Sequence, residues 1–243
     1  MDRAIRAVWY DLRDDLPPAQ QADYFAWLHE THLPALLKRP GYLWAAHYRC
    51  VDNQVPPGRV RHVTDASVPT GNAYVLIIGA TDAHVFVHQA AAEVPALHDC
   101  RQGERAQLFT EEARVAGPSA ATREGLYVPA PCIQIGSFCA ARYQDEEGVL
   151  DWYVHNRMAA MRDTPGCLGV RKYVSVTGWA KHGVLYEFES LALRNEHFMR
   201  HANAKAENKA WSDQLVPSLI HAPGSPNVAC RLWPPVANTP KDS

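Results

Sequence analysis

The sequence predicts an α+β protein made of two tandem β-α-β-β-α-β units packed sheet to sheet. Three observations carry this reading. Strand-like and helix-like segments follow the same order twice along the chain. A shift of 125 aligns Trp27 with Trp152, Ala35 with Ala160, Pro40-Gly41 with Pro165-Gly166, Leu43 with Leu168 and Tyr48 with Tyr173. The length, 243 residues, suits two ordinary domains. So long a period excludes a solenoid and indicates duplication of a whole unit.

The elements follow in order. Ala4 to Asp11 alternates enough for a strand. A helix opens at Pro17-Pro18, where proline's missing N–H costs nothing, and runs to about Lys38. Arg39-Pro40-Gly41 stops it, and Tyr42 to Arg49 is strand-like. A polar loop, Val51 to Asn72, leads to a strong strand from Ala73 to Ala80. Asp82 to Glu93 is expected to be helical, with a second helical piece from Glu104 to Arg114. In the second half the expected strands are Cys132–Ala140, Cys167–Val176, Val184–Ser190 and Asn227–Trp233. The expected helices are Glu146–Asp163 and Leu193–Leu215. Past the second strand the best shift falls to about 113, because the Val51–Asn72 loop is longer than its counterpart. The boundaries are therefore 1–115, a linker 116–131, 132–234 and a Pro-rich tail 235–243 expected to be disordered. A β-α-β-β-α-β unit is the ferredoxin-like arrangement, whose open sheet face needs a cover. A second sheet in the same chain supplies one.

Composition narrows the function. A hydrophobic fraction of 47% excludes wholesale disorder, and a net charge of -2 without a basic block argues against nucleic-acid binding. No apolar run is long enough for a membrane span, and the start reads as strand rather than a secretory signal. The six cysteines lack metal-ligand spacing and are expected as reduced thiols in a cytoplasmic protein.

The stretch WLHETHLPALLKRPGYLWAAHY, Trp27 to Tyr48, resembles the EthD-like branch of the dimeric α/β-barrel superfamily. That branch places His-x-Pro on the first helix before a Pro-Gly turn, as in His32-Leu33-Pro34. The second half departs from the motif, with Arg157 at the His32 position and Ala159 at the Pro34 position. The resemblance implies an intrachain barrel with pockets between sheet and helices. It also implies cofactor-free oxygenation, isomerisation, polyketide tailoring or, in other members, haem chemistry.

The site follows from the first helix. At about 100° per residue, Phe25, Leu28, His29, His32 and Leu36 share one stripe and Trp27 falls opposite. The second-half stripe reads Leu150, Tyr153, Val154, Arg157 and Met161, with His155 and Asn156 off it. A polar group in the middle of a buried stripe needs a partner or a cavity. His32 and His29 are therefore the expected catalytic residues, since imidazole exchanges protons near neutral pH. Arg157, Tyr153, Phe25 and Leu28 are expected to bind substrate. Neither a metal nor a cofactor is expected, haem being an alternative.

The remaining histidines are weaker candidates. His47 and its counterpart Lys172 are expected at the surface, and His62, His98, His182 and His221 in solvent. The i,i+4 pairs His84/His88 and His197/His201 lack a third metal ligand. No GxSxG, P-loop or GxGxxG occurs. The leading expectation is a small-molecule enzyme acting by acid–base chemistry on an aromatic or polyketide-like compound. The alternatives are a non-enzymatic ligand-binding or stress-type barrel and a haem barrel. The expected partner is a small molecule, with neither nucleic acid nor membrane, on a monomeric pseudo-dimer or a homodimer.

Overall fold

The computed structural model describes residues 2–87, 99–123, 125, 128–202 and 206–236. In the first half, β1 (Ala4–Leu12), β2 (Tyr42–Val51), β4 (Tyr74–Ala80) and β5 (Arg101–Ala116) lie in the order β2-β4-β1-β5. In the second half, β6 (Cys132–Ala140), β7 (Cys167–Thr177), β8 (His182–Phe188) and β10 (Asn227–Trp233) lie in the order β7-β8-β6-β10. All these pairings are antiparallel. β5 pairs with β7 and β10 with β2, so the eight strands close into a barrel. A short β3 (Arg61–His62) runs parallel to β9 (Leu219–His221), which extends the far end of β6.

Strand alternation sorts the side chains into three layers. Ile5, Ala7, Trp9, Trp44, Ala46 and Tyr48 point into the barrel and meet Ile133, Ile135, Tyr173 and Leu185 of the second half. Val8, Tyr10, Ala45, Leu76 and Ile78 point outward, under Tyr24, Leu28, Leu33 and Leu36 of the first helices. On the other side Phe138, Val184 and Tyr186 lie under Val149, Trp152, Tyr153, Met161 and Phe198.

The first helical stretch is α1 (Pro18–Ala26), a π turn (Trp27–His32) and α2 (Leu33–Leu37). Its counterpart is α4 (Glu146–Trp152), a π turn (Tyr153–Arg157) and α5 (Met158–Met161). Each stretch ends at a glycine with positive φ, Gly41 (+88°) or Gly166 (+74°). Of the expected Asp82–Glu93 helix, residues 82–87 are described, and within them α3 (His84–Val87) is helical. The expected 193–215 helix is α6 (Leu191–Ala202) and α7 (Ala206–Leu215).

Several expectations are corrected. Glu104 to Arg114 is strand, not helix. Its Glu, Arg, Ala and Gln favour helix locally, but pairing on both edges, with β1 and β7, overrides that preference. His47 and Lys172 are buried, at 0% and 1% exposure. They do occupy the strand face opposite Trp44 and Ala46, yet helices cover that face, so it never meets water. His182 and His221 are buried too, for the same reason. On the second helical stretch Leu150 and Val154 are exposed while Asn156 is buried. The π turn holds an extra residue, so a uniform 100° step misplaces its neighbours. His88, His98 and the tail beyond Val236 lie outside the described residues. The cysteines are free thiols.

Candidate active site

Five of the six expected site residues fall in the two π turns, and Phe25 lies in α1, two residues before the first. His29 lies in the first, half-buried, between Phe25 (ring centroids 5.9 Å) and Trp233 (6.1 Å). His29 Nε2 is 2.8 Å from His47 Nδ1, and His47 Nε2 is 2.8 Å from the Tyr10 hydroxyl. The Tyr24 hydroxyl donates to Tyr10 at 3.1 Å and accepts from Arg101 Nε at 2.6 Å. Arg101 is in turn bonded to Glu104 at 2.8 Å.

Arginine only donates, and one arrangement of protons pairs every hydroxyl and bridging ring nitrogen along the chain. Tyr24 accepts from Arg101 and donates to Tyr10. Tyr10 then donates to His47 Nε2, and His47 donates through Nδ1–H to His29 Nε2. His29 therefore carries its own proton on Nδ1, the ring nitrogen outside the relay. Burial holds the His47 imidazole well below its ordinary pKa and lowers His29 to about 4. Burial likewise raises both phenols. At neutral pH the chain is thus neutral from His29 to Tyr24 and ends on a guanidinium lying 4.2 Å from the Tyr10 ring centroid.

His32 is partly exposed and stacks on Trp27 at 4.8 Å. A uniform wheel sets these two residues on opposite faces; the π turn, closing i to i+5, brings them together. Leu28 is fully buried in the first helix–sheet core. The relay joins one residue assigned to the site from sequence, His29, on which Phe25 stacks, to four that were not assigned there: His47, expected at the surface, and Tyr10, Tyr24 and Arg101.

In the second half, Tyr153 and Arg157 line a cavity of about 520 Å³ between the sheet and its helices. Phe138, Trp152, Tyr186 and Phe198 supply further rings. The long first-half loop forms part of the wall: Asn53, Val55, Pro56 and Arg59 reach across. It is tied down by Arg59 to Asp213 at 2.6 Å and by Asn53 Nδ2 to the Pro226 carbonyl at 2.9 Å. Beside the cavity, Lys172 donates to Glu112 (2.9 Å) and to His182 Nδ1 (3.0 Å). Lysine also only donates, so His182 gives its Nε2–H to Glu146 at 2.8 Å. The matched positions 47 and 172 thus each bond an imidazole beneath their helices. Among the described residues, no group of three or more His, Cys, Asp or Glu is placed to hold a metal ion, and no helix is long and apolar enough to cross a membrane.

No protein-family model matches the chain, and no curated protein is similar enough to match. Solved structures do match along nearly its whole length. An anthrone oxidase-like protein superposes with a TM-score of 0.62 at 11% identity, covering 96% of this chain and 92% of its own. A candidate monooxygenase from Lactobacillus acidophilus gives 0.57 at 10% identity, covering 95% and 94%. A candidate chlorite dismutase gives 0.52 at 13%, covering 95% and 94%. The closed eight-stranded barrel and these likenesses give the chain the dimeric α/β-barrel fold. At such identities the likeness concerns the fold alone.

Proposed function

We propose that this protein is a small-molecule enzyme of the EthD-like type that works by acid–base chemistry on an aromatic or polyketide-like ketone or phenol. The observation that carries the reading is the buried relay from Arg101 to His29. It presents one neutral imidazole N–H at a half-buried position. Such a group stabilises an enolate or phenolate oxygen as charge develops on it, and the relay behind it can replace the proton. Isomerisation, decarboxylation and cofactor-free oxygenation all pass through a carbanion of this kind. His29 is assigned the proton donor. His32, a partly exposed imidazole three residues further on, is assigned the proton acceptor, and Phe25 and Leu28 the apolar wall. Arg157 and Tyr153 are assigned to ligand binding in the second half.

We read the chain as a tandem duplication, residues 1–115 and 132–234. The common strand order, the π turns at equivalent positions and the paired glycines Gly41 and Gly166 support this. Each unit then matches the ferredoxin-like order.

Anthrone is the first compound to test, given the anthrone oxidase-like neighbour. In air, anthrone and O₂ give anthraquinone and water. Without O₂, proton removal still appears as deuterium uptake at the methylene carbon in D₂O. The protein is expected to accelerate both over buffer, and His29→Gln to lose about 10²–10⁴-fold. No acceleration of either by the native protein, or full rates in both His29→Gln and His32→Gln, contradicts the proposal.

A haem reading has one residue in its favour. His221 is buried, lines the second cavity, and has no hydrogen-bond partner for Nδ1 among the described residues. His221 would hold the haem, which would supply redox chemistry. A Soret band on addition of haemin, lost in His221→Ala, supports this reading; its absence removes it.

A further inference from the structure

The second-half cavity holds more positive charge than its own residues neutralise. Among the described residues its lining includes Arg59, Arg157, Arg194 and Lys209 but only one carboxylate, Asp213. That carboxylate is already shared by Arg59 and Lys209, each at 2.6 Å. The other two cations are the buried ones, Arg157 at 7% and Arg194 at 4% exposure. Arg194 donates to neutral oxygens: Gln134 Oε1 at 3.1 and 2.5 Å, Asn195 Oδ1 at 2.8 Å and the Asn53 carbonyl at 3.4 Å. Arg157 lies over Trp152 at 4.9 Å, and its buried Nη1 has no hydrogen-bond partner among the described residues. Both guanidiniums flank the Phe198 ring, at 5.8 and 5.5 Å from its centroid. A buried guanidinium without a counter-charge is costly, and an entering anion removes that cost.

The walls fix the rest of the ligand. Phe138, Trp152, Tyr153, Tyr186 and Phe198 give flat apolar faces, and about 520 Å³ holds two or three fused rings. We propose that this cavity binds a fused-ring aromatic carboxylate. Its carboxylate sits on Arg157 Nη1 under the field of Arg194, and its rings lie on the aromatic wall. The inference rests on Arg157 and Tyr153 as ligand-binding residues and adds the charge and class of the ligand.

The test is calorimetric titration of the full chain with naphthalene-2-carboxylate and with its neutral isostere, naphthalene-2-carboxamide. The carboxylate is expected to bind saturably, at least about tenfold more tightly than the amide. Arg157→Gln is expected to lose at least about tenfold for the carboxylate and nothing for the amide, with native far-UV circular dichroism. Arg157→Lys keeps the charge and is expected to retain part of the preference; it replaces the Gln variant if that one does not fold. Equal affinity for the two compounds, no carboxylate binding, or unchanged binding in a folded Arg157→Gln protein overturns the proposal. Binding is read without turnover. Failure here leaves the His29 reading standing, and loss of anthrone chemistry leaves this one standing.

Discussion

At the residue scale, the proposed chemistry turns on keeping imidazoles neutral. Unfolded, a histidine takes its proton near pH 6.5; in the folded chain burial delays this for His29 and His221 to about 4. Above pH 6.5 both rings are neutral in both states and stability does not depend on them. Between 6.5 and 4 the unfolded chain binds protons that the folded chain refuses, so stability falls as pH falls. His221, well buried, accounts for up to about 1.4 kcal/mol per pH unit over that window. His29, only half-buried, contributes less, because solvent screens it. Urea midpoints at pH 7, 5.5 and 4.5 are expected to fall in order, with a shallower decline in His221→Asn. Tyr10→Phe removes the donor to His47 Nε2 and is expected to cost about 1–3 kcal/mol by the same measurement. It also cuts the relay, so the pH profile of anthrone turnover is expected to move, which a packing defect alone does not do. His29 was legible in the sequence because it shares a stripe with Leu28 and Leu36. Its partner His47 was not, because alternation tells which face a strand residue takes but not what covers that face.

At the element scale, the Pro-Gly turns were readable and the helix phase was not. Gly41 and Gly166 both take positive φ, and a Cβ on Gly166 would lie 2.6 Å from Leu193 Cβ. Gly166→Ala therefore combines backbone strain with a clash and is expected to cost about 2 kcal/mol in urea unfolding. The wheel failed where one extra residue entered the turn, a local event that periodicity averages away. It put Trp27 across from His32 and left Asn156 outside the second stripe. The strand β5 was missed for a different reason. Its residues prefer helix in isolation, and its state is set by neighbours distant in sequence, β1 and β7. Once it is a strand, the first half has four barrel strands, as the second half does.

For the whole molecule, closure depends on contacts between the halves, which no local pattern reveals. Asp2 binds Arg171 at 2.7 Å, Arg114 at 2.9 Å and the Trp44 indole at 2.7 Å, and Arg171 also binds Glu111 at 2.6 Å. This cluster, buried around Asp2 and Arg171, pins the start of the chain to the second sheet. Asp2→Ala leaves Arg171 partly unpaired and is expected to cost about 3–5 kcal/mol in the urea midpoint. The extra length of the Val51–Asn72 loop, noticed in sequence only as a mismatch of register, serves the same union. It carries Asn53 and Arg59 over the other half's cavity. Most of the strand order was thus readable from residues, while the hydrogen-bonded chain of His29, His47, Tyr10, Tyr24 and Arg101 and the charged cavity around Arg157 and Arg194 required the assembled barrel. The relay is the centre of this account, and imidazole nitrogen NMR of the full chain tests it without any substrate. At pH 7 both His29 and His47 are expected to be neutral and protonated on Nδ1, with His29 titrating near pH 4. A His47 protonated on Nε2, or a His29 titrating near 6.5, contradicts it.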